Sequence, residues 1–333
     1  MNASASPDLT PFGIAVGHAT DDAGATGLTV IRGIDQPLRA GVAIFGRATG
    51  SRELHAASAD HRVGGRIDAI MLTGGSAYGL DAAAGVMRWM EEHGRGLPVG
   101  VGVVPIVPAA VVFDLAPLGR PDARPSPEMA YEACDSASSV GVAEGSVGAG
   151  TGTTVGKILG ATGAMKGGVG CASARTDDGS LTVAALAVVN AFGDVRDARG
   201  EIIAGARDER GAFVDTARLL ASGGLRPPAK FDEAVMTNTT LAVVGVSAPM
   251  TATELVQLAR AAGAALTRRI TPCGSSFDGD IVFALSPFED EVSRVDALVI
   301  ESLAVAALEH AIERAVRCAR GREGIPGLAD AHA

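Results

Sequence analysis

A threonine at the start of a predicted strand carries the clearest chemistry in the sequence. Thr239 follows Asn238 and leads into the apolar run 241–246 (LAVVGV). A cut between Asn238 and Thr239 would give Thr239 a free α-amine beside its hydroxyl, and the ordinary pKa of such an amine is about 7.7–8.0, close to working pH. One residue would then supply both nucleophile and base. The alternative is a plain turn leading into a strand, because an Asn-Thr pair occurs by chance in many proteins.

Two carboxylates form the next candidate site. Asp278 and Asp280 flank Gly279 just before the apolar run 281–285, so both backbone and side chains can approach a small group there. They could hold an ammonium group, either that of Thr239 or that of a substrate. Taken alone, the same three residues are more typical of a simple D-G turn.

An amide and an ammonium group offer further polar chemistry. Asn190 ends the apolar run 181–189, where its amide could donate to an oxyanion. Lys166 lies among glycines, where its ammonium could lower the pKa of a nearby hydroxyl or hold a negative charge. Each of these residues has more than one interpretation when it is considered alone.

The glycine-rich segment suggests a different function, phosphate binding at a helix N-terminus. Gly148-Ala-Gly150-Thr-Gly152 lacks the G-x-x-x-x-G-K-[ST] spacing, a preceding strand and a following acidic residue at dinucleotide spacing. We interpret it as a structural loop that packs closely on other backbone. No histidine pair has metal-ligand spacing and no cysteines form a C-x-x-C pair, so neither a metal nor another cofactor is expected.

Composition narrows the class of protein. The 333 residues include 44 glycines, and 47% are hydrophobic but only 4% aromatic, which indicates tightly packed layers with close backbone approach. A net charge of −10 argues against a nucleic-acid partner and fits a substrate that carries an amine. The four cysteines suggest no disulfide framework, and residues 1–10 lack the features of a signal peptide, so a cytoplasmic location is expected. The apolar runs are short, so no membrane-spanning helix is expected.

The elements that must position these residues are apolar strands and amphipathic helices. Strands buried on both faces are predicted because their apolar runs are nearly continuous, at 67–73, 181–189, 241–246 and 281–285. Thr251 and Glu254 form a capping box that opens a helix. A long final helix is predicted at 292–319, with one face formed by Leu298, Val305, Ile312 and Val316. Residues 221–238 are typical of a linker.

Together these segments resemble the L-aminopeptidase/D-esterase family, which also contains β-aminopeptidases and the 6-aminohexanoate-oligomer hydrolases. The resemblance covers nearly the whole chain, from Gly13 to the strand after Asp280. Its most specific stretches, in chain order, are LTGGSAYGLDAA (72–83), GSVGAGTGTTVGK (145–157), KGGVGCASAR (166–175), VVNAFGDV (188–195), NTTLAVV (238–244) and FDGDIVFALS (277–286). Six such stretches in the right order make a chance match improbable.

The resemblance implies a four-layer αββα sandwich, similar to the ornithine acetyltransferase fold and analogous to N-terminal-nucleophile hydrolases. It implies one catalytic domain, residues 1–333, that cleaves itself into a chain of 1–238 and a chain of 239–333. It also implies assembly into homotetramers. The expected partner is a small peptide, amide or ester substrate, and no cofactor or membrane is involved.

The resemblance also implies roles for the candidate residues. Thr239 is both nucleophile and base, and the cut falls at Asn238/Thr239. Asp278 and Asp280 orient the nucleophile and polarise its amine. Asn190 matches the asparagine that stabilises the oxyanion.

Two positions match the family less directly. Lys166 matches a lysine near the nucleophile, and Lys157 is a rival placement because the loop between the motifs varies in length. Some relatives have a serine nucleophile, a Ser-Gly-acid motif and a tyrosine where this chain has Phe113. The threonine and the Asp-Gly-Asp sequence are closer to the nylon-oligomer branch. The resemblance therefore supports the cleavage residues of the family in this chain, but it does not identify a particular substrate.

Two other functions stay open at this point. The same nucleophile could transfer an acyl group to an amine, as in ornithine acetyltransferases, although the motifs favour the hydrolases. An unprocessed binding protein could have kept the fold without the chemistry, but the intact Asn-Thr and Asp-Gly-Asp sequences argue against it.

Overall fold

The computed structural model describes residues 6–223, 238–292 and 294–332. Eighteen strands are assigned in this part of the chain: β1 (Ile14–Asp21), β2 (Thr26–Gly33), β3 (Leu38–Ile44), β4 (Ser51–Arg52), β5 (Arg66–Ile67), β6 (Ala69–Thr73), β7 (Leu97–Pro98), β8 (Val103–Val104), β9 (Ala109–Val111), β10 (Thr154–Val155), β11 (Met165–Lys166), β12 (Gly168–Arg175), β13 (Thr182–Asn190), β14 (Asp194–Arg196), β15 (Ile202–Ala204), β16 (Thr239–Val246), β17 (Ile270–Thr271) and β18 (Ile281–Pro287).

Six α-helices accompany these strands within the described ranges: α1 (Ala83–Glu92), α2 (Pro127–Asp135), α3 (Thr216–Ala221), α4 (Ala252–Ala262), α5 (Ala264–Arg269) and α6 (Ala297–Arg317). Short 3₁₀ helices span Thr10–Phe12, Leu54–Ala57, Ser76–Ala82, Gly148–Gly150, Lys157–Leu159, Ala161–Gly163 and Leu328–His332.

Two large sheets form the body of the protein. The first has the strand order β1-β2-β6-β9-β4, and the second has the order β12-β13-β16-β18-β3-β5. Neighbouring strands are antiparallel except for β6–β9 and β16–β18, which are parallel. The remaining strands form three small sheets, β10-β11, β15-β14-β17 and β7-β8.

The two large sheets pack face to face. Along β16, Leu241 and Val243 lie in a buried cluster that also contains Ile31 of the first sheet. Ala242 and Val244 alternate with them and lie in a separate cluster with the helices. This alternation with a period of two places one apolar core between the sheets and another behind the second sheet.

Helices cover the outer face of each sheet. Ala130 of α2 shares a core with Leu28 of β2 in the first sheet. Leu258 of α4 and Ile312 of α6 share a core with Val244 of the second sheet. The order of layers is helix, sheet, sheet, helix, which confirms the expected αββα sandwich.

Glycine allows α6 to approach β12 closely. A Cβ atom at Gly170 would lie 2.1 Å from the carbonyl oxygen of Ala311, and one at Gly168 would lie 2.4 Å from that of Ala315. No side chain fits at either position. The glycine content therefore does bring backbone layers into contact, as the composition suggests.

The predicted buried strands are present, with one interruption. The runs 181–189, 241–246 and 281–285 correspond to β13, β16 and β18. The run 67–73 is divided between β5 and β6 at Asp68. The Asp68 carboxylate accepts the N–H of Ile106 (2.9 Å) and forms an ion pair with Arg66 (3.3 Å).

The final helix is shorter than predicted. It begins at Ala297, because the Asp296 carboxylate caps it by accepting the N–H groups of Leu298 (2.9 Å) and Val299 (3.3 Å). Of the residues predicted to share one face, Ile312 and Val316 are buried, whereas Leu298, in the first turn of the helix, is 76% exposed.

The sequence also predicts a capping box, a linker and the absence of a membrane-spanning helix. The capping box is confirmed, since the Glu254 N–H donates to the Thr251 hydroxyl (3.2 Å) and the Thr251 N–H donates to the Glu254 carboxylate (2.8 Å). The predicted linker at 221–238 lies mainly outside the described residues, which omit 224–237.

Among the helices that are described, none is both long and apolar enough to cross a membrane.

Candidate active site

The candidate residues converge at one end of the second sheet. β16 begins at Thr239, and the parallel strand β18 begins directly after Asp280, so the N-terminal ends of these neighbours lie side by side. The antiparallel strand β13 ends at Asn190 on the same edge. The sheet topology therefore brings together three segments that are far apart in the sequence.

Asn190 and Thr239 are direct partners across the β13–β16 ladder. Partners of this kind have Cα atoms about 5 Å apart. Both residues are buried, and they continue the positions of Val188 and Leu241, whose side chains lie in the core between the sheets. Because side chains alternate along a strand, those of Asn190 and Thr239 project to this same side.

The peptide bond before Thr239 has two donors on its carbonyl oxygen. The Thr239 hydroxyl donates to the Asn238 oxygen at 2.5 Å, and the Gly279 N–H donates to the same oxygen at 3.0 Å. Asn238 and Asp278 also form an isolated parallel bridge. The hydroxyl thus lies beside the bond that would be cut, and a backbone donor polarises its carbonyl.

Position 279 must be glycine because the Thr239 side chain lies too close for a Cβ atom. A Cβ atom at this position would lie 2.8 Å from the Thr239 Oγ1 atom and 3.0 Å from the carbonyl oxygen of Ala48. Any side chain here would push the hydroxyl away. The glycine between the two aspartates therefore has a steric function beyond that of a turn.

The two carboxylates bind backbone N–H groups around the threonine. Asp280 accepts the N–H of Thr240 (2.6 Å), and Asp278 accepts the N–H of Ser275 (2.6 Å). Both side chains are buried. Burial, reinforced by the charge of Asp278, raises the pKa of Asp280 to about 6. Two carboxyl groups therefore lie near the first residues of β16, where a new α-amine would form.

The Asn190 amide has a fixed orientation. Its Oδ1 atom accepts the N–H of Thr154 (3.0 Å) and the ammonium of Lys157 (2.9 Å), and its Nδ2 atom donates to the carbonyl of Phe113 (3.0 Å). Turning the amide round would place its N–H groups against two other donors. The orientation of the amide is therefore set by two donors at its oxygen and by the Phe113 carbonyl at its nitrogen.

Lys157 belongs to this polar cluster. Its ammonium also donates to the backbone carbonyl of Asn190 at 3.1 Å. Burial lowers the pKa of Lys157 well below its usual value, while the charges of Asp278 and Asp114 oppose that shift. Lys157 is therefore the lysine that contacts Asn190.

Lys166 holds the glycine-rich loop. Its ammonium donates to the carbonyl oxygens of Thr153 (2.8 Å), Gly150 (3.0 Å) and Gly167 (3.3 Å), which account for its three N–H groups. The residue is buried, and burial lowers its pKa to about 7. Its contacts secure the loop that precedes Thr154.

The glycine-rich segment itself is a packed loop, as interpreted from the sequence. A Cβ atom at Gly150 would lie 2.6 Å from the backbone nitrogen of Val169, and one at Gly152 would lie 2.1 Å from the carbonyl oxygen of Ala25. The only helix that these glycines enter is the 3₁₀ turn Gly148–Gly150. In the residues that the structure describes, no group of three or more His, Cys, Asp or Glu side chains could hold a metal ion.

Comparison with known proteins identifies the family. Residues 11–328 match the family model described as peptidase family S58. The chain belongs to peptidase family S58.

Relatives of this S58 peptidase carry names that fit the family. An uncharacterized aminopeptidase of Mycobacterium bovis is 42% identical over 288 residues, which cover 82% of this chain and 79% of the relative. A 6-aminohexanoate-oligomer endohydrolase of Kocuria sp. is 29% identical over 292 residues, which cover 83% of this chain and 74% of the relative. The S58 peptidase is accordingly a hydrolase that acts on peptide or amide bonds.

Solved structures share its fold. The β-aminopeptidase of Burkholderia sp. has a TM-score of 0.68 and 22% identity, covering 98% of this chain and 93% of the other. The L-aminopeptidase D-Ala-esterase/amidase of Ochrobactrum anthropi, described as a variant of the Ntn hydrolase fold, has a TM-score of 0.70 and 21% identity, covering 96% and 89%. The S58 peptidase thus has an Ntn-hydrolase fold, as the sequence resemblance implies.

Asp114 is a buried carboxylate of the S58 peptidase that no sequence motif marks. Asp114 is fully buried and accepts the hydroxyl of Thr26 (2.7 Å) and the N–H of Gly75 (2.6 Å). Burial raises its pKa to about 6. It follows Phe113, whose carbonyl holds the Asn190 amide. No spacing signal marks Asp114, because its partners come from distant segments of the first sheet.

Proposed function

We propose that this S58 peptidase is a self-processing aminopeptidase or amidase whose nucleophile is Thr239. The observation that carries the proposal is the pair of donors on the Asn238 carbonyl oxygen, the Thr239 hydroxyl and the Gly279 N–H. In this proposal the hydroxyl is the nucleophile and the N–H is the oxyanion donor for the same peptide bond. The precursor is residues 1–333, and its products are residues 1–238 and 239–333.

Processing would begin with attack of the Thr239 Oγ1 atom on the carbonyl carbon of Asn238. The negative charge that develops on the carbonyl oxygen is stabilised by the N–H of Gly279. Breaking the C–N bond transfers the Asn238 acyl group to the hydroxyl oxygen, and the hydroxyl proton passes to the leaving nitrogen, which becomes the free amine of Thr239. Water then hydrolyses the ester, which frees the Thr239 hydroxyl and leaves a carboxylate on Asn238.

Turnover would use the new N-terminus. The α-amine takes the proton of the Thr239 hydroxyl as its oxygen attacks the substrate carbonyl, and Asn190 donates to the oxyanion. The amine then returns the proton to the leaving nitrogen, and water hydrolyses the acyl-enzyme. Asp278 and Asp280 favour the protonated amine during this cycle, because their negative charges lie at the start of β16.

The two lysines would have different functions. Lys157 keeps the Asn190 amide in the orientation that presents a donor, through its contact of 2.9 Å with Oδ1. Lys166 supports the loop that carries Thr154, the second donor to the same oxygen. We therefore assign the lysine beside the catalytic residues to Lys157.

The substrate class follows from the same chemistry. A small peptide, amide or ester with a free amine suits a site of buried carboxylates in a chain of net charge −10. Assembly into a homotetramer and a cytoplasmic location stay predictions from the sequence. Light scattering of the purified protein would test the oligomeric state.

Intact mass spectrometry tests the central proposal. Purified protein should yield two chains, the smaller beginning Thr-Thr-Leu-Ala, and the Thr239→Ala variant should stay a single chain of 33.4 kDa without activity. A wild-type chain that stays whole after prolonged incubation would contradict self-processing. Product analysis with and without an added amine then separates hydrolysis from acyl transfer.

A further inference from the structure

A thiol lies against the carboxylate at the start of β16. The Cys273 thiol donates to the Oδ2 atom of Asp280 at 3.3 Å. The other oxygen of that carboxylate, Oδ1, accepts the N–H of Thr240 at 2.6 Å. Two donors on opposite oxygens fix the rotation of the carboxylate, and one of them belongs to the residue directly after Thr239.

We propose that Cys273 is a positioning residue, whose S–H group holds the Asp280 carboxylate in the orientation that serves Thr239. The inference rests on the proposed function and adds a residue that acts through Asp280. Nothing in the sequence pattern singles out Cys273, since it belongs to no motif and no cysteine pair.

The backbone around Cys273 is anchored to the chain that leaves Asn190. Thr271 pairs with Asp194 in the β14–β17 ladder, two residues before Cys273. Gly193 allows this contact, since a Cβ atom there would lie 2.3 Å from the carbonyl oxygen of Pro272. The thiol donor and the Asn190 amide are thus positioned by one connected segment.

The surroundings keep Cys273 a donor. Burial raises the pKa of the Cys273 thiol far above its usual range, and the charges of Asp280 and Asp278 raise it further. The thiol therefore stays protonated at the pH values at which Asp280 ionises. Cys273 is partly buried, whereas Asp280 is only 2% exposed. The contact is accordingly shielded from competing water.

The thiol in turn acts on the ionisation of Asp280. Burial and the charge of Asp278 raise the Asp280 pKa, whereas donation from Cys273 and from the Thr240 N–H favours the charged form and lowers it. The charge of Asp278 also acts on Lys157, a buried lysine of the same polar cluster, where it opposes the lowering of the pKa by burial. Removing the thiol should therefore raise the Asp280 pKa.

The test is the pH dependence of kcat/KM in fully processed protein. Cys273→Ala and Cys273→Val remove the donor, and Val also fills most of the volume. Protonation of the Thr239 amine lowers kcat/KM at acid pH in every variant, so the quantity compared is the ratio of variant to wild type. Since an S–H group is a weak donor, we expect the Asp280 contribution to that ratio to move up in pH by about half a unit to one unit. That shift corresponds to roughly a three- to tenfold loss at pH 5, with little change at pH 8. Cys273→Ser restores a donor and should return the pH dependence to that of the wild type.

Cys318→Ala provides the matched control, because Cys318 directly follows α6 and the charged groups that act on it are Glu144 and Arg314. It should keep the wild-type pH profile.

If Cys273→Ala does not fold, the comparison of Cys273→Val with Cys273→Ser tests the proposal. A Cys273→Val profile that superimposes on the wild type, or a shift that Ser does not reverse, overturns the positioning role. Failure of the proposed function is distinguishable, because the wild-type chain would then not be cut and Thr239→Ala would keep its activity.

Discussion

Asn190 and Thr239 form the last pair of the β13–β16 ladder, with their side chains on the side of the sheet that faces the inter-sheet core. Their proximity is a property of strand register. A slip of one residue would turn one side chain to the opposite face. The proposed nucleophile and oxyanion donor are therefore held by the backbone hydrogen bonds of the sheet as well as by their own contacts.

Asn190→Ala should impair turnover more than processing. The variant lacks the amide donor, whose loss typically lowers kcat by about 10²–10³-fold. Processing should slow less, because the Asn238 carbonyl already accepts the Gly279 N–H. Time courses of chain cleavage and of aminoacyl-amide hydrolysis measure the two effects separately. Equal losses in both would contradict a separate oxyanion donor for each reaction.

The two lysines should differ in what their loss changes. Lys157→Met removes an ammonium bound to the Asn190 oxygen, a charged hydrogen bond worth about 1.5–3 kcal/mol. If that energy is lost from the transition state, kcat/KM falls roughly 10- to 100-fold. Lys166→Met removes one donor from each of three buried carbonyls, so it should mainly lower the Tm. A large loss of kcat/KM in Lys166→Met together with a lowered Tm in Lys157→Met would instead identify Lys166 as the lysine of the active site.

Gly279→Ala should slow processing while keeping the backbone donor. Its Cβ atom would lie 2.8 Å from the Thr239 hydroxyl, and a misplacement of about 1 Å can cost up to about 10²-fold in rate. Gly102→Ala is the control, since a Cβ atom at Gly102 meets nothing within 4 Å. Cleavage half-times from denaturing gels compare the two variants. A Gly279→Ala chain that is cut at the wild-type rate would show that the hydroxyl is not confined as described.

Asp114 should make stability depend on pH. Its pKa is raised from 3.8 to about 6 in the folded chain, so between those values the folded state binds more protons than the unfolded state. The free energy of unfolding should therefore fall as pH rises from 4 to 6, with a contribution from Asp114 on the order of 2–3 kcal/mol.

The measurement for Asp114 is urea unfolding at several pH values, in a Thr239→Ala background that keeps the chain whole. Asp114→Asn should remove the Asp114 part of the slope. Identical slopes with and without Asp114 would show that this carboxylate has an ordinary pKa.

Sequence patterns were sufficient to predict several buried strands, whereas the four layers were implied by the family resemblance. Continuous apolar runs predicted β13 and β16, and polar residues at their ends marked Asn190 and Thr239. Local patterns do not contain the register that pairs those two residues, since register depends on the whole sheet. The family resemblance supplied their connection instead.

Long-range contacts explain what was missed. The alternatives Lys157 and Lys166 could not be separated, because the difference depends on how the glycine-rich loop closes. Asp114 and Cys273 depend on partners from other segments, and neither belongs to a recognisable spacing. Such residues are found only when distant backbone segments are placed side by side.

The placement of β16 and β18 inside the second sheet has a consequence for how the cleaved protein would refold. Both strands belong to the proposed chain 239–333, yet their outer neighbours β13 and β3 belong to the chain 1–238. Hydrogen bonds on both flanks would keep the products together after the cut. Once unfolded, however, the mature protein would have to find its partner chain again in a bimolecular step. Recovery after denaturation would therefore depend on protein concentration for the mature form, whereas an uncut precursor would refold at a rate independent of it.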